Sequence, residues 1–156
     1  METSFRKIDI DAYDEDVIQE EELYDADPRD PAQVLNDTKQ KTSAVRGYLS
    51  KGDTAGALTM ILTDPPYGPN VEQAKETNLS TLLTILGSTK SSEVSSVVKG
   101  LSQDAQDTLM KYLYKGMATS ARSDANTSVL LSWHEKLTEV AGIGCIVRVM
   151  TDRRLV

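Results

Sequence analysis

His134 is the only histidine among the 156 residues, and it stands in Trp133-His134-Glu135-Lys136-Leu137-Thr138. A zinc metalloprotease helix needs a second histidine four residues on, where this chain has Thr138. A base also needs an orienting partner and a nucleophile, and no sequence neighbour supplies either. Cys145 lies in Ile143-Gly144-Cys145-Ile146-Val147, an apolar setting that raises a thiol's pKa and suits a packed cysteine better than a nucleophile. Gly142-x-Gly144 lacks the third glycine of a dinucleotide fingerprint, since residue 147 is Val147, and it reads instead as a helix stop and turn. Asp9-x-Asp11 with Glu20 has the outline of a calcium loop, but Tyr13 occupies a ligand position and Asp14 replaces the turn glycine. No catalytic residue, metal set or cofactor is expected, and the chain reads as a non-enzyme.

The elements that carry these residues are helical. Asp30-Pro31 supplies an N-cap and a first-turn proline, Val34, Leu35, Val45, Tyr48 and Leu49 supply one face, and Gly52 suits the stop. A short second helix starts at Asp53, turns Ala55, Ala57, Leu58, Ile61 and Leu62 inward, and ends at Asp64-Pro65-Pro66. A third, capped by Asn70, runs to Gly87 with a broad apolar stripe. The fourth covers about Ser92 to Lys99, and the fifth runs from Ser102 to Gly116. A loop spans Ala118 to Asn126, and a sixth helix presents Val129, Leu130, Trp133, Leu137 and Val140 before Gly142.

Residues 143–150 are rich in β-branched side chains, and local propensity favours a strand. No second strand pattern exists to pair with one, so a buried terminal helix is expected, with pairing against another subunit as the alternative. The fold class is all-α: about seven antiparallel helices in a bundle, preceded by an extended acidic arm.

Charge divides the chain in the same place. Residues 1–30 hold 12 acidic and 3 basic side chains, a balance of −9, whereas residues 31–156 hold 12 acidic and 14 basic ones. Nucleic-acid binding is not expected from a body without a clustered basic footprint. The longest apolar-rich stretch is far short of the ~20 residues that span a bilayer, so membrane insertion is not expected either, and one cysteine with no apolar leader suggests a cytoplasmic protein. Residues 1–29 read as a flexible acidic arm and linker that docks on a partner, and residues 30–156 as a helical scaffold domain. The cluster Glu20-Glu21-Glu22 is either a solvated linker or an attraction toward a basic groove. On the body, Met110, Tyr112, Tyr114, Trp133 and Arg148 are docking candidates. Tyr112 and Tyr114, two residues apart, cannot share one core stripe, which leaves one of them toward a partner.

Three blocks together carry a family resemblance: Phe5-Arg6-Lys7-Ile8-Asp9-Ile10-Asp11-Ala12-Tyr13-Asp14-Glu15, Leu109-Met110-Lys111-Tyr112-Leu113-Tyr114-Lys115-Gly116, and Leu130-Leu131-Ser132-Trp133-His134-Glu135-Lys136 continuing into Gly142-Ile143-Gly144-Cys145-Ile146-Val147-Arg148-Val149. The chain resembles subunit 5, the smallest subunit, of the actin-related protein 2/3 complex. The resemblance implies a non-catalytic helical subunit of a hetero-oligomer that nucleates branched actin filaments in actin-rich cortical structures. It further implies a body docked on subunit 4 and subunit 1, contact with actin filaments through the complex, and an N-terminal arm that reaches the actin-related protein 2 subunit. The arm residues carried over are Phe5, Arg6, Lys7, Ile8, Asp9, Ile10, Asp11, Tyr13 and Asp14. Residues 16–29 are shorter and more acidic than the Gly-rich linker of animal members. A free-standing helical adaptor with a partner-binding arm is the alternative function.

Overall fold

The computed structural model describes residues 20–23, 25, 27–119 and 124–156. The arm residues 5–14 and the calcium-like spacing that begins at Asp9 lie outside the described residues. Among the described residues a 3₁₀ turn, Glu20–Leu23, precedes seven helices: α1 Pro31–Ser50, α2 Thr54–Leu62, α3 Glu72–Ser88, α4 Ser91–Gly100, α5 Gln103–Thr119, α6 Asp124–Ala141 and α7 Ile143–Thr151. No strand occurs among the described residues.

Helix punctuation follows local chemistry in most places. The Asp30 carboxylate accepts from the Ala32 N–H at 3.0 Å to open α1, and Asp53 accepts from the Gly56 N–H at 2.8 Å to open α2. Ser102 caps α5, its hydroxyl accepting from the Ala105 N–H at 3.3 Å. Two expectations are corrected. Asn70 does not cap α3: it takes a left-handed φ of 68°, and Val71 holds the N-cap position without a side-chain cap, because Val71 is buried with Val34 and Ala74. Gly116 does not stop α5, which continues to Thr119, and α6 begins at Asp124 within the stretch expected as a loop. Gly116 is instead a point of close approach, where a β-carbon would lie 3.2 Å from Leu130 Cδ1 of α6.

Helices α1 and α2 pack on one another and on α3, while α4 and α5 pack on α6, and α3 touches α5 and α6. One apolar core runs through both groups, from Val45, Leu58 and Ile61 through Leu82, Ile85 and Leu86 to Leu109, Leu113, Leu130, Trp133 and Leu137. A smaller cluster of Val34, Val71 and Ala74 seals the start of α1 against the start of α3.

Two polar crossings tie α3 to the second group. The Asn78 Nδ2 donates to the Tyr112 hydroxyl at 2.6 Å, with a longer contact to the Ile61 carbonyl at 3.4 Å. The Trp133 Nε1 donates to the Leu86 carbonyl at 3.3 Å. Burial holds the Tyr112 phenol well above its ordinary pKa, partly offset by the Asn78 hydrogen bond, so it stays neutral in the core. Tyr112→Phe removes one buried hydrogen bond and is expected to lower unfolding free energy by about 1–2 kcal/mol. Trp133→Ala removes the indole's bulk as well and is expected to cost about 3–5 kcal/mol. Urea midpoints at unchanged slope measure both, and equal losses would contradict this account of the core.

Candidate docking surface

The segment after α6 turns into α7 at Gly142, whose φ of +73° costs a glycine nothing. Its N–H donates to the Thr138 carbonyl at 2.9 Å as α6 ends, and its carbonyl accepts from the Cys145 N–H at 3.2 Å as α7 begins. The β-branched run is therefore helical, since a helix satisfies its own backbone where no strand is available.

It is not a buried helix, which corrects the expectation for residues 143–150. Only Cys145 is fully buried, with Ile146 and Val149 part-buried against the core. On the opposite side Ile143, Val147 and Met150 are 75%, 56% and 64% exposed. Their i, i+4, i+7 spacing makes one continuous apolar stripe facing solvent. The inward stripe seats on α5 and α6, and none of the described residues covers the outward one. A groove of about 310 Å³ borders it, lined by Tyr114, Lys115, Val149, Met150 and Leu155.

Ion pairs fasten α7 at both ends of its contact with α5. Arg148 donates through Nε and Nη2 to the two carboxylate oxygens of Asp107, at 2.6 and 2.8 Å. Beyond the helix, the Lys111 ammonium donates to Asp152 at 2.6 Å and to the Arg154 carbonyl at 3.1 Å. Burial alone would raise the Asp107 carboxyl, but the hydrogen bonds and charge of the Arg148 guanidinium prevail and hold it below its ordinary value. Asp152 is lowered in the same way, with burial opposed by Lys111. The Cys145 thiol is pushed up to about 12, chiefly by burial and also by Asp107, which makes it a packed thiol with little thiolate at neutral pH.

The docking candidates divide. Met110, Tyr112 and Trp133 are 0%, 1% and 1% exposed, so their side chains form the core and offer no docking surface on the body as it stands. Tyr114 is half-buried: its hydroxyl lies 3.2 Å from His134 Nε2, and its ring meets the imidazole edge-on at 5.4 Å. Of the two tyrosines, Tyr112 takes the core and Tyr114 the groove. Arg148 is exposed but bidentate with Asp107, so it orients α7. Ile143, Val147 and Met150 were legible as a stripe from their spacing, yet the apolar composition of the segment favoured burial.

This arrangement is an uncovered apolar face on a helical body. The sequence model of the family described as ARP2/3 complex 16 kDa subunit (p16-Arc) matches residues 4–156. The chain belongs to this family. Among curated p16-Arc relatives, it is 40% identical to actin-related protein 2/3 complex subunit 5-C of Xenopus laevis over 152 residues, covering 97% of this chain and 94% of the relative. Subunit 5 of Saccharomyces cerevisiae (strain ATCC 204508 / S288c) is 35% identical over 159 residues, with both chains covered completely. The human subunit 5-like protein is 33% identical over 156 residues, covering all of this chain and 97% of the relative. No helix among the described residues is long and apolar enough to cross a membrane.

Because the Asp107 and Asp152 carboxyls sit below their unfolded values, their contribution to stability is complete above about pH 4 and is lost as pH falls through the folded values. Thermal melts between pH 2 and 6 should show this acid limb. Asp107→Asn is expected to reduce stability at pH 6 and to flatten the limb; a limb of unchanged steepness would exclude the pair as its source.

Proposed function

We propose that this p16-Arc family member works as a non-catalytic subunit of the actin-related protein 2/3 complex in the cytoplasmic actin cytoskeleton, supporting nucleation of branched filaments in cortical structures. The body docks on the subunit 4 and subunit 1 scaffold, with the exposed stripe of α7 as a principal contact. The observation that carries this reading is the stripe itself: three large apolar side chains in register on a helix whose other face is anchored by a core cysteine and a bidentate ion pair. A neighbouring chain that covers Ile143, Val147 and Met150 gains their apolar area at little ordering cost, because α7 is already held in place.

The N-terminal arm then holds the actin-related protein 2 subunit. Phe5, Ile8 and Ile10 are apolar anchors, Arg6, Lys7, Asp9 and Asp11 fix register and reject wrong partners, and Tyr13 with Asp14 completes the motif. Docking of the body makes arm binding intramolecular, at an effective concentration of order mM where the linker's span fits, so a weak contact restrains a mobile subunit. Actin filaments are met through the complex.

Val147→Asp combined with Met150→Asp places two charges on the stripe without entering the core. At least tenfold weaker incorporation into a reconstituted complex is expected, with the melting temperature of the free chain unchanged. Full incorporation would remove α7 from the interface. Deletion of residues 1–15 is expected to leave incorporation intact and to impair branching in a pyrene-actin assay; branching at the wild-type rate would remove the tether. Gel filtration of native extract separates a complex subunit from a free adaptor, which would elute near 17.1 kDa.

A further inference from the structure

Four separate segments meet where the N-terminal region joins the body, around a cavity of about 550 Å³ lined in part by Asp27, Arg29, Asp64, Tyr67, Lys111 and Arg154. Residues 27–29 form a closed clasp: the Asp27 carboxylate accepts from the Arg29 backbone N–H at 3.0 Å, from its Nε at 2.9 Å and from its Nη2 at 2.6 Å. The Asp27 side chain is only 2% exposed. The same Nη2 donates to the Pro65 carbonyl at 3.1 Å, and the Lys41 ammonium of α1 donates to the Asp64 carbonyl at 2.9 Å. Two cations thus satisfy the carbonyls that follow α2, one from α1 and one from the linker.

The C-terminal tail closes the other side. The Leu155 carbonyl accepts from the Gly68 N–H at 3.3 Å, Val156 is buried, and Lys111 holds Asp152 and the Arg154 carbonyl. The Arg154 guanidinium lies 5.2 Å above the Tyr67 ring and 3.7 Å from Asp25. An isolated surface pair of this kind contributes little, but here each cation also holds backbone or an aromatic face.

We infer that Arg29 and Arg154 are positioning residues for the N-terminal arm: this junction moves the arm's pivot from the N-cap of α1 to about residue 25, beside the C-terminal tail. The inference rests on the tether reading for its functional consequence. Released from the junction, residues 25–29 would lengthen the tether by up to ~17 Å and change its direction of exit. Because effective concentration depends on how linker length matches the span, this small change in slack alters engagement at the arm's tip. Lysine cannot reproduce the two-point contact of Arg29 with Asp27, so Arg29→Lys is expected to rescue only in part.

The test uses the full chain carrying fluorophores on Glu15→Cys and Lys90→Cys, the native Cys145 being buried. In Arg29→Ala/Arg154→Ala the distance distribution is expected to broaden and shift by up to ~17 Å. Amide exchange at Gly68, whose N–H is held by the tail, is expected to quicken about tenfold, with the melting temperature unchanged. In reconstituted complexes the same variant should incorporate normally and branch several-fold more slowly, and the Arg29→Lys/Arg154→Lys variant should lie between. An unchanged distance distribution overturns the inference, as does wild-type branching by the alanine variant where deletion of residues 1–15 impairs it. If that deletion has no effect while the distances still shift, the tether reading fails and the positioning of the arm stands.

Discussion

Burial of α3 on several sides is the constraint from which the rest of the body follows. A helix with one free face sends its polar side chains to water, but α3 packs against α1, α2, α5 and α6. Asn78 therefore has no route to solvent and must find partners inside. Its amide meets the Tyr112 hydroxyl of α5, while the Leu86 carbonyl of the same helix receives the Trp133 indole N–H of α6. These bonds are directional, so they select one rotation of α5 and α6 relative to α3, whereas the aliphatic contacts around them would tolerate several. The Asn78 Oδ1 has no hydrogen-bond partner among the described residues, a cost this core carries.

With α5 and α6 oriented in this way, the chain has one remaining short helix to place. Helix α7 lies across α5 and α6 and gives up only its Cys145 side to the interior, with Asp107–Arg148 and Lys111–Asp152 holding it. Its other side is left apolar and uncovered. A free body of this size has no internal need for Ile143, Val147 and Met150 to be large and greasy, and membership of a family of complex subunits supplies a physical reason for them.

Helix boundaries were legible wherever a capping side chain or proline sets them locally. Asp30-Pro31, Asp53, Ser102 and Gly142 all mark real ends, because their effects operate within a few residues of backbone. Asn70 and Gly116 misled for one shared reason: each residue type has a local use and a packing use, and the packing use prevailed. Burial of Val71 begins α3 after Asn70, and Leu130 approaches closely enough that a β-carbon at Gly116 would crowd it. Among the docking candidates, Met110, Tyr112 and Trp133 are likewise drawn into the core. Tyr112 and Trp133 have the amphipathic chemistry of interface residues, but that chemistry equally suits a core that must bond a buried amide and a buried carbonyl.

Composition and periodicity alone determined the all-helical class, the concentration of acid in the first 30 residues and the lack of any familiar reactive arrangement, since each is a sum or a short-range pattern along the chain. The family was legible there too, in long blocks of specific residues. Only the tertiary structure decided which face of α7 is left uncovered, which of Tyr112 and Tyr114 is sealed inside, and where the N-terminal segment is fastened. Those outcomes depend on groups 20 to more than 100 residues apart, Tyr114 with His134, Asn78 with Tyr112, Arg154 with Asp25, and no local signal ranks one such meeting above another until the packing of α3 has excluded the alternatives.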